Sequence, residues 1–208
     1  KEHPLSSGKI EMKYMTAKEE DILTNQNYIK NGTVIDRLLK SLIITEVPYN
    51  DILVGDKNAI MMAARILSYG KDYTFEYNGQ QQTVDLSLLE NKELDESLYT
   101  QGQNEFPFEL PHTGNTVTFK LLSHGDEVKI EQEVKGLQKI NKDNVTEVTT
   151  RLKHIITSVN GESEPKTIRN FIDNFLLARD ARALREEYAK ISPDVETIFN
   201  FEDETGAV

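Results

Sequence analysis

Residues able to do chemistry are plentiful in this chain, but few are spaced to work together. The four histidines, His3, His112, His124 and His154, lie far from one another and never recur at the interval that lets two ligands share a helical face. Serines and acids abound, yet no serine sits in the strand-turn-helix setting that exposes a hydrolytic nucleophile. The run Val54-Gly55-Asp56-Lys57-Asn58 has one glycine, and its aspartate would face a phosphate unfavourably. Glu19 and Glu20 project to different sides of a helix, so they cannot flank a glycosidic bond. With no cysteine, thiolate catalysis, disulfides and thiolate zinc sites are excluded. The expectation is a protein without enzymatic activity, cofactor or metal. Two polar clusters suit protein contact instead. Asp56, Lys57 and Asn58 open a helix whose other face is apolar. Arg179, Arg182 and Arg185 gather three guanidinium groups within seven residues, and the planar fork of arginine pairs well with partner carboxylates.

These clusters belong to an acidic chain. Among 208 residues, 35 acids oppose 24 bases, for a net charge of −11. Such a surface repels a polyanion unless its cations are segregated, and here they are interspersed, as in Lys18-Glu19-Glu20-Asp21. Nucleic acid is therefore not an expected partner. No apolar run approaches the ~20 residues that span a bilayer; even Ala59 to Ala64 is closed by Arg65. The absence of cysteine is consistent with assembly in a reducing cytoplasm.

The elements that position the clusters read as an α+β fold, a helical base bearing antiparallel β-hairpins. Ile10, Met12 and Tyr14 alternate with Glu11 and Lys13, which predicts a strand. Thr16 and Glu19 have capping-box spacing, and a second helix should start at Thr33 and bury Ile35, Leu38, Leu39 and Leu42. A third, from Gly55 to Gly70 with Asp56 as its cap, should bury Ile60, Ala63, Ala64 and Leu67. Tyr73, Phe75 and Tyr77 lead into Asn78-Gly79, a strong hairpin signal, with Thr83 to Leu86 returning. Phe106 to Leu110 and Thr116 to Leu122 predict another hairpin, its first strand kept at an edge by Pro107 and Pro111. The four strands are expected to form one excursion, residues 71–122, on a single domain spanning 1–208. A helix with a narrow apolar stripe is expected from Gly125 to Ile140, and a strand from Arg151 to Val159. A helix from Pro165 should bury Ile168, Phe171, Ile172 and Phe175, and a last helix, capped by Asp180, should bury Leu184, Tyr188 and Ile191. Val195 to Phe201 reads as a strand, followed by an acidic tail.

Residues 10 to 44, IEMKYMTAKEEDILTNQNYIKNGTVIDRLLKSLII, taken with DILVGDKNAIMMAARILSYGKDY (51–73), TRLKHIITSVNG (150–161) and FIDNFLLARDARALREEYAKISPDV (171–195), resemble the baseplate hub family of T4-like contractile-tailed bacteriophages. That family contains a hub subunit and a hub-assembly protein. The resemblance implies a non-enzymatic structural component of the virion's tail baseplate, assembled in the host cytoplasm in several symmetric copies. Its partners would be other hub or tail proteins, with the tape measure protein as a further candidate. A transient assembly chaperone is the alternative within the family, and an enzyme acting on the cell envelope the alternative from another class. Family members often carry Cys-x-x-Cys pairs after the segments matching Tyr73 to Tyr77 and Phe199 to Phe201, and this chain lacks them. Relatives also extend further at the N-terminus, so a segment preceding Lys1 is expected.

Overall fold

The computed structural model describes residues 8–100, 102–140 and 146–198. It is a mixed α+β fold, with eight α-helices and two small antiparallel sheets among the described residues. The chain forms two compact units. The first comprises residues 1–47, 55–93 and 193–208, the second 48–54 and 94–192.

In the first unit, α1 (Ala17–Thr24), α2 (Gln26–Lys30) and α3 (Val34–Leu42) follow one another closely. The expected capping box forms, and the Glu19 carboxylate accepts both the Thr16 amide, at 3.0 Å, and its hydroxyl, at 2.6 Å. In α3, Leu38, Leu39 and Leu42 are buried while Ile35 is half-buried. The strand expected over Ile10 to Tyr14 shrinks to one bridge, Met12 with Ile43. A ladder needs a partner of equal length, and little extended chain follows α3. The next helix, α4 (Val54–Tyr69), starts before the expected cap, leaving Asp56 in its first turn. At this earlier start the Val54 amide donates to Leu122 O at 3.1 Å, satisfying one of the free amides of the first turn. Gly55 is required where it stands. A Cβ there would lie 1.6 Å from the Pro193 carbonyl oxygen. Strands β1 (Asp72–Tyr77) and β2 (Gln80–Asp85) form the expected hairpin. Asn78 and Gly79 have φ of 51° and 78°, the pair of positive values that a two-residue turn of this hand demands. The expected strand from Val195 reduces to a bridge between Asn91 and Val195; its end and the acidic tail lie outside the described residues.

The second unit holds a three-stranded sheet in the order β3 (Phe106–Glu109), β4 (Thr116–Phe119), β5 (Ile156–Val159). The second hairpin is thus part of this unit's sheet, and strands 71–122 are not one excursion. Pro107 does lie on an edge strand. Around the sheet pack α5 (His124–Ile140), α6 (Glu147–Ile155), α7 (Pro165–Asn174) and α8 (Ala178–Ile191), enclosing a continuous core that includes Leu110, Phe119, Leu122, Ile130, Leu152, Ile172 and Leu184. The expected strand from Arg151 is helical up to Ile155. Leu152, Ile155, Ile156 and Val159 are all buried, at the i, i+3, i+4, i+7 spacing that a helix followed by a short strand satisfies as well as alternation does.

Candidate protein interface

The α7–α8 corner begins where the core runs out of room. In α7, Ile168 and Ile172 are buried and Phe171 is half-buried, but the helix ends at Asn174. Phe175, expected in the core, is instead 61% exposed, and Leu177 is 50% exposed. Between them Leu176 turns back and packs against the core. The chain then enters α8, whose inner side carries Leu184 and Ile191 and whose outer side carries the arginines.

Asp180 does not cap α8; Leu177 occupies that position. The aspartate is fully buried, and its carboxylate accepts the His112 amide at 2.9 Å, the Thr113 amide at 3.2 Å and the Thr113 hydroxyl at 2.8 Å. Burial alone would raise its pKa, but these donors and the nearby His112 bring it below the ordinary aspartate value. Its work is to hold the β3–β4 turn. Arg179, Arg182 and Arg185 are all exposed. Arg182 Nε donates to Glu186 Oε1 at 2.8 Å, and Arg185 Nε donates to the Ala181 carbonyl at 3.3 Å. Arg179 has no ion pair among the described residues. Arg179 and Arg182 project about 60° apart around the helix, with Glu186 between their directions, and Arg185 lies further round. The three charges form a band, one of them answered.

Asp56, Lys57 and Asn58 do not act as one group. Lys57 Nζ pairs with Asp36 Oδ1 at 2.6 Å, and Asn58 Nδ2 donates to Asp194 Oδ1 at 3.0 Å, so both brace the first unit. Asp56 is exposed by surface area, yet the protein around it displaces enough water to raise its pKa. It borders a hollow of ≈ 260 Å³ shared with Ile10, Met12 and Ala63.

The histidines are structural where they can be seen. His124 is buried edge-on against Tyr49, with ring centres 4.8 Å apart, and His154 Nε2 lies 2.9 Å from Glu133 Oε2. The exposed His112 contributes its backbone amide to Asp180, and His3 lies outside the described residues. A groove of ≈ 620 Å³ beside the start of α5 is lined by Asn50, Lys120, Asp126 and Lys129, among others. Its polar groups largely satisfy one another: both Asp126 oxygens take Lys120 Nζ at 2.9 Å, and Ser123 adds its amide and hydroxyl. No group of three or more His, Asp or Glu among the described residues could hold a metal ion, and no helix among them is long and apolar enough to cross a membrane.

Glu19, expected at a capping position, is also fully buried and bound by Lys13 Nζ at 2.8 Å and Ser41 Oγ at 2.9 Å. A buried acid among Lys18, Glu20 and Asp21 leaves no mark in composition; only its N3 position hints at it. The exposure of Phe175 and Leu177 was equally hidden, because both continue an apolar run. Comparison with protein-family models, with curated proteins and with solved structures finds no match to this chain.

Proposed function

We propose that this protein is a non-enzymatic structural component of the baseplate hub of a contractile phage tail, working by burying surface against other hub or tail proteins in a symmetric assembly. The resemblance of residues 10–44, 51–73, 150–161 and 171–195 to that family carries the reading. The last of these stretches contains the whole α7–α8 corner, where apolar side chains and arginines reach solvent together. The buried acids Glu19, Asp126 and Asp180 are engaged in hydrogen bonds that build turns and helix starts, which suits a scaffold. The test is mass spectrometry and cross-linking of purified tails. Under this reading the protein is stoichiometric in mature particles and cross-links to hub neighbours; presence only in assembly intermediates would make it a transient assembly factor. Peptidoglycan cleavage by the isolated chain, abolished by one substitution, would replace the structural reading with an enzymatic one.

A further inference from the structure

We propose that the α7–α8 corner docks an acidic protein segment that also carries apolar side chains, a partner chemistry that deepens the binding role proposed above and rests on it. Three observations meet there. Phe175 and Leu177 stand 61% and 50% exposed within three residues of each other. The surface charge changes sign: from Asn174 to Arg185 the one acid is Asp180, and it is fully buried with its carboxylate committed to His112 and Thr113. What reaches solvent is Arg179, Arg182 and Arg185, and among the neighbouring acids Glu186 answers only Arg182. In a chain of net charge −11, this is a local cationic band beside an apolar step.

Aromatic residues and arginine are the types that concentrate binding energy at protein interfaces, the aromatic filling a pocket while the guanidinium fork pairs with carboxylates. A nucleic acid would match the arginines but leave Phe175 and Leu177 without apolar side chains to cover them, and the acidic remainder of the surface would repel it. An acidic segment with interspersed apolar side chains satisfies both halves of the corner at once.

The experiment uses the full chain and a short, fluorescently labelled peptide alternating Glu and Asp with Leu and Phe. Its controls are a peptide of equal charge with Ser replacing the apolar residues, and a labelled single-stranded oligonucleotide. The expected result is salt-sensitive binding of the first peptide, weakened by about tenfold or more in Phe175→Ser and again in Arg179→Glu/Arg182→Glu, with melting temperatures unchanged. No binding, equal binding of the Ser peptide or the oligonucleotide, or indifference to these substitutions would overturn the proposal. Should a variant melt early, Phe175→Leu and Arg179→Gln supply the milder test: both must weaken binding, and unchanged affinity overturns the proposal. Incorporation into tails is read separately. Peptide binding by a protein absent from tails removes the hub role and leaves the surface; tail incorporation without peptide binding does the reverse.

Discussion

The two units reach stability by different means. In the second, one apolar cluster runs from Phe106 to Ile191 and draws side chains from all three strands and from α5 to α8. In the first, the buried apolar side chains among the described residues are Leu38, Leu39, Leu42, Ile60, Ala64 and Leu86, too few to form a comparable interior. Polar ties occur within both units, Arg151 with Glu127 and Lys153 with Asp173 among those of the second, but in the first the Glu19 knot, Lys57 with Asp36, Asn58 with Asp194, and Lys71 with Asp85 accompany a much smaller core. Apolar burial is indifferent to pH and only weakly sensitive to salt, whereas ion pairs depend on both. The first unit, with the smaller core, should therefore be the more responsive to solvent conditions, and the second the more responsive to the size of its side chains.

The strongest way to break this contrast is to empty the second unit's core. Leu184 has no exposed surface, and Leu184→Ala should cost ~2–5 kcal/mol in chemical denaturation. Hydrogen exchange should show the lost protection concentrated in β3, β4 and α8. A cost under ~1 kcal/mol would mean that the cluster is loosely packed and the contrast overstated.

Close backbone contact is the first unit's counterpart to dense packing. Gly55→Ala drives a methyl group into the Pro193 carbonyl and should cost ~1–3 kcal/mol. Gly136 in α5 has nothing within 4 Å of its would-be Cβ, so Gly136→Ala should raise stability by up to ~1 kcal/mol. Thermal melts of the two variants should move in opposite directions.

Acid sharpens the comparison further. Lys13 foremost, then Thr16 and Ser41, hold the Glu19 carboxyl well below its ordinary 4.5 against the opposing effect of burial. A carboxyl depressed in the folded state contributes its full stability above the unfolded value, and that contribution drains away as pH falls toward the folded one. Protection in α1 and α3 should stay level from neutral pH to about 4.5, then fall. Asp180, also depressed, draws on the second unit only from its ordinary 3.8 downward. Hydrogen exchange across this range should show the first unit weakening first, and Glu19→Gln should flatten its response. Simultaneous loss of both units would refute a separate polar dependence.

The smallest effect is expected on the outer face of α8. Arg182 and Arg185 are exposed and hold only local contacts, so Arg182→Glu with Arg185→Glu should change stability by no more than ~0.5 kcal/mol while impairing incorporation into tails. A large drop in melting temperature would assign these arginines to the fold.

Local signals in the sequence are legible where the physics is itself local. The capping box at Thr16 and Glu19, the Asn78-Gly79 turn, the proline opening α7 and the apolar stripe of α3 each depend on residues a few positions apart, and each is present. Failures fall where a distant partner decides. Met12 found only Ile43 to pair with, residues 151–155 are helical and only 156–159 join β4, and the two hairpins went to different sheets.

The site divides in the same way. The arginine cluster is legible from spacing, since Arg179, Arg182 and Arg185 fall within seven residues of an acidic chain. That Phe175 would sit outside, that Asp180 would turn inward to hold a hairpin, and that Lys57 and Asn58 would brace their own unit could not be read from it. Composition and periodicity determine which faces are apolar and where helices begin. Which of those faces finds cover, and which buried acid meets which amide, is decided only when segments remote in sequence compete for the same space, because burial and hydrogen bonding reward contacts whatever their separation along the chain.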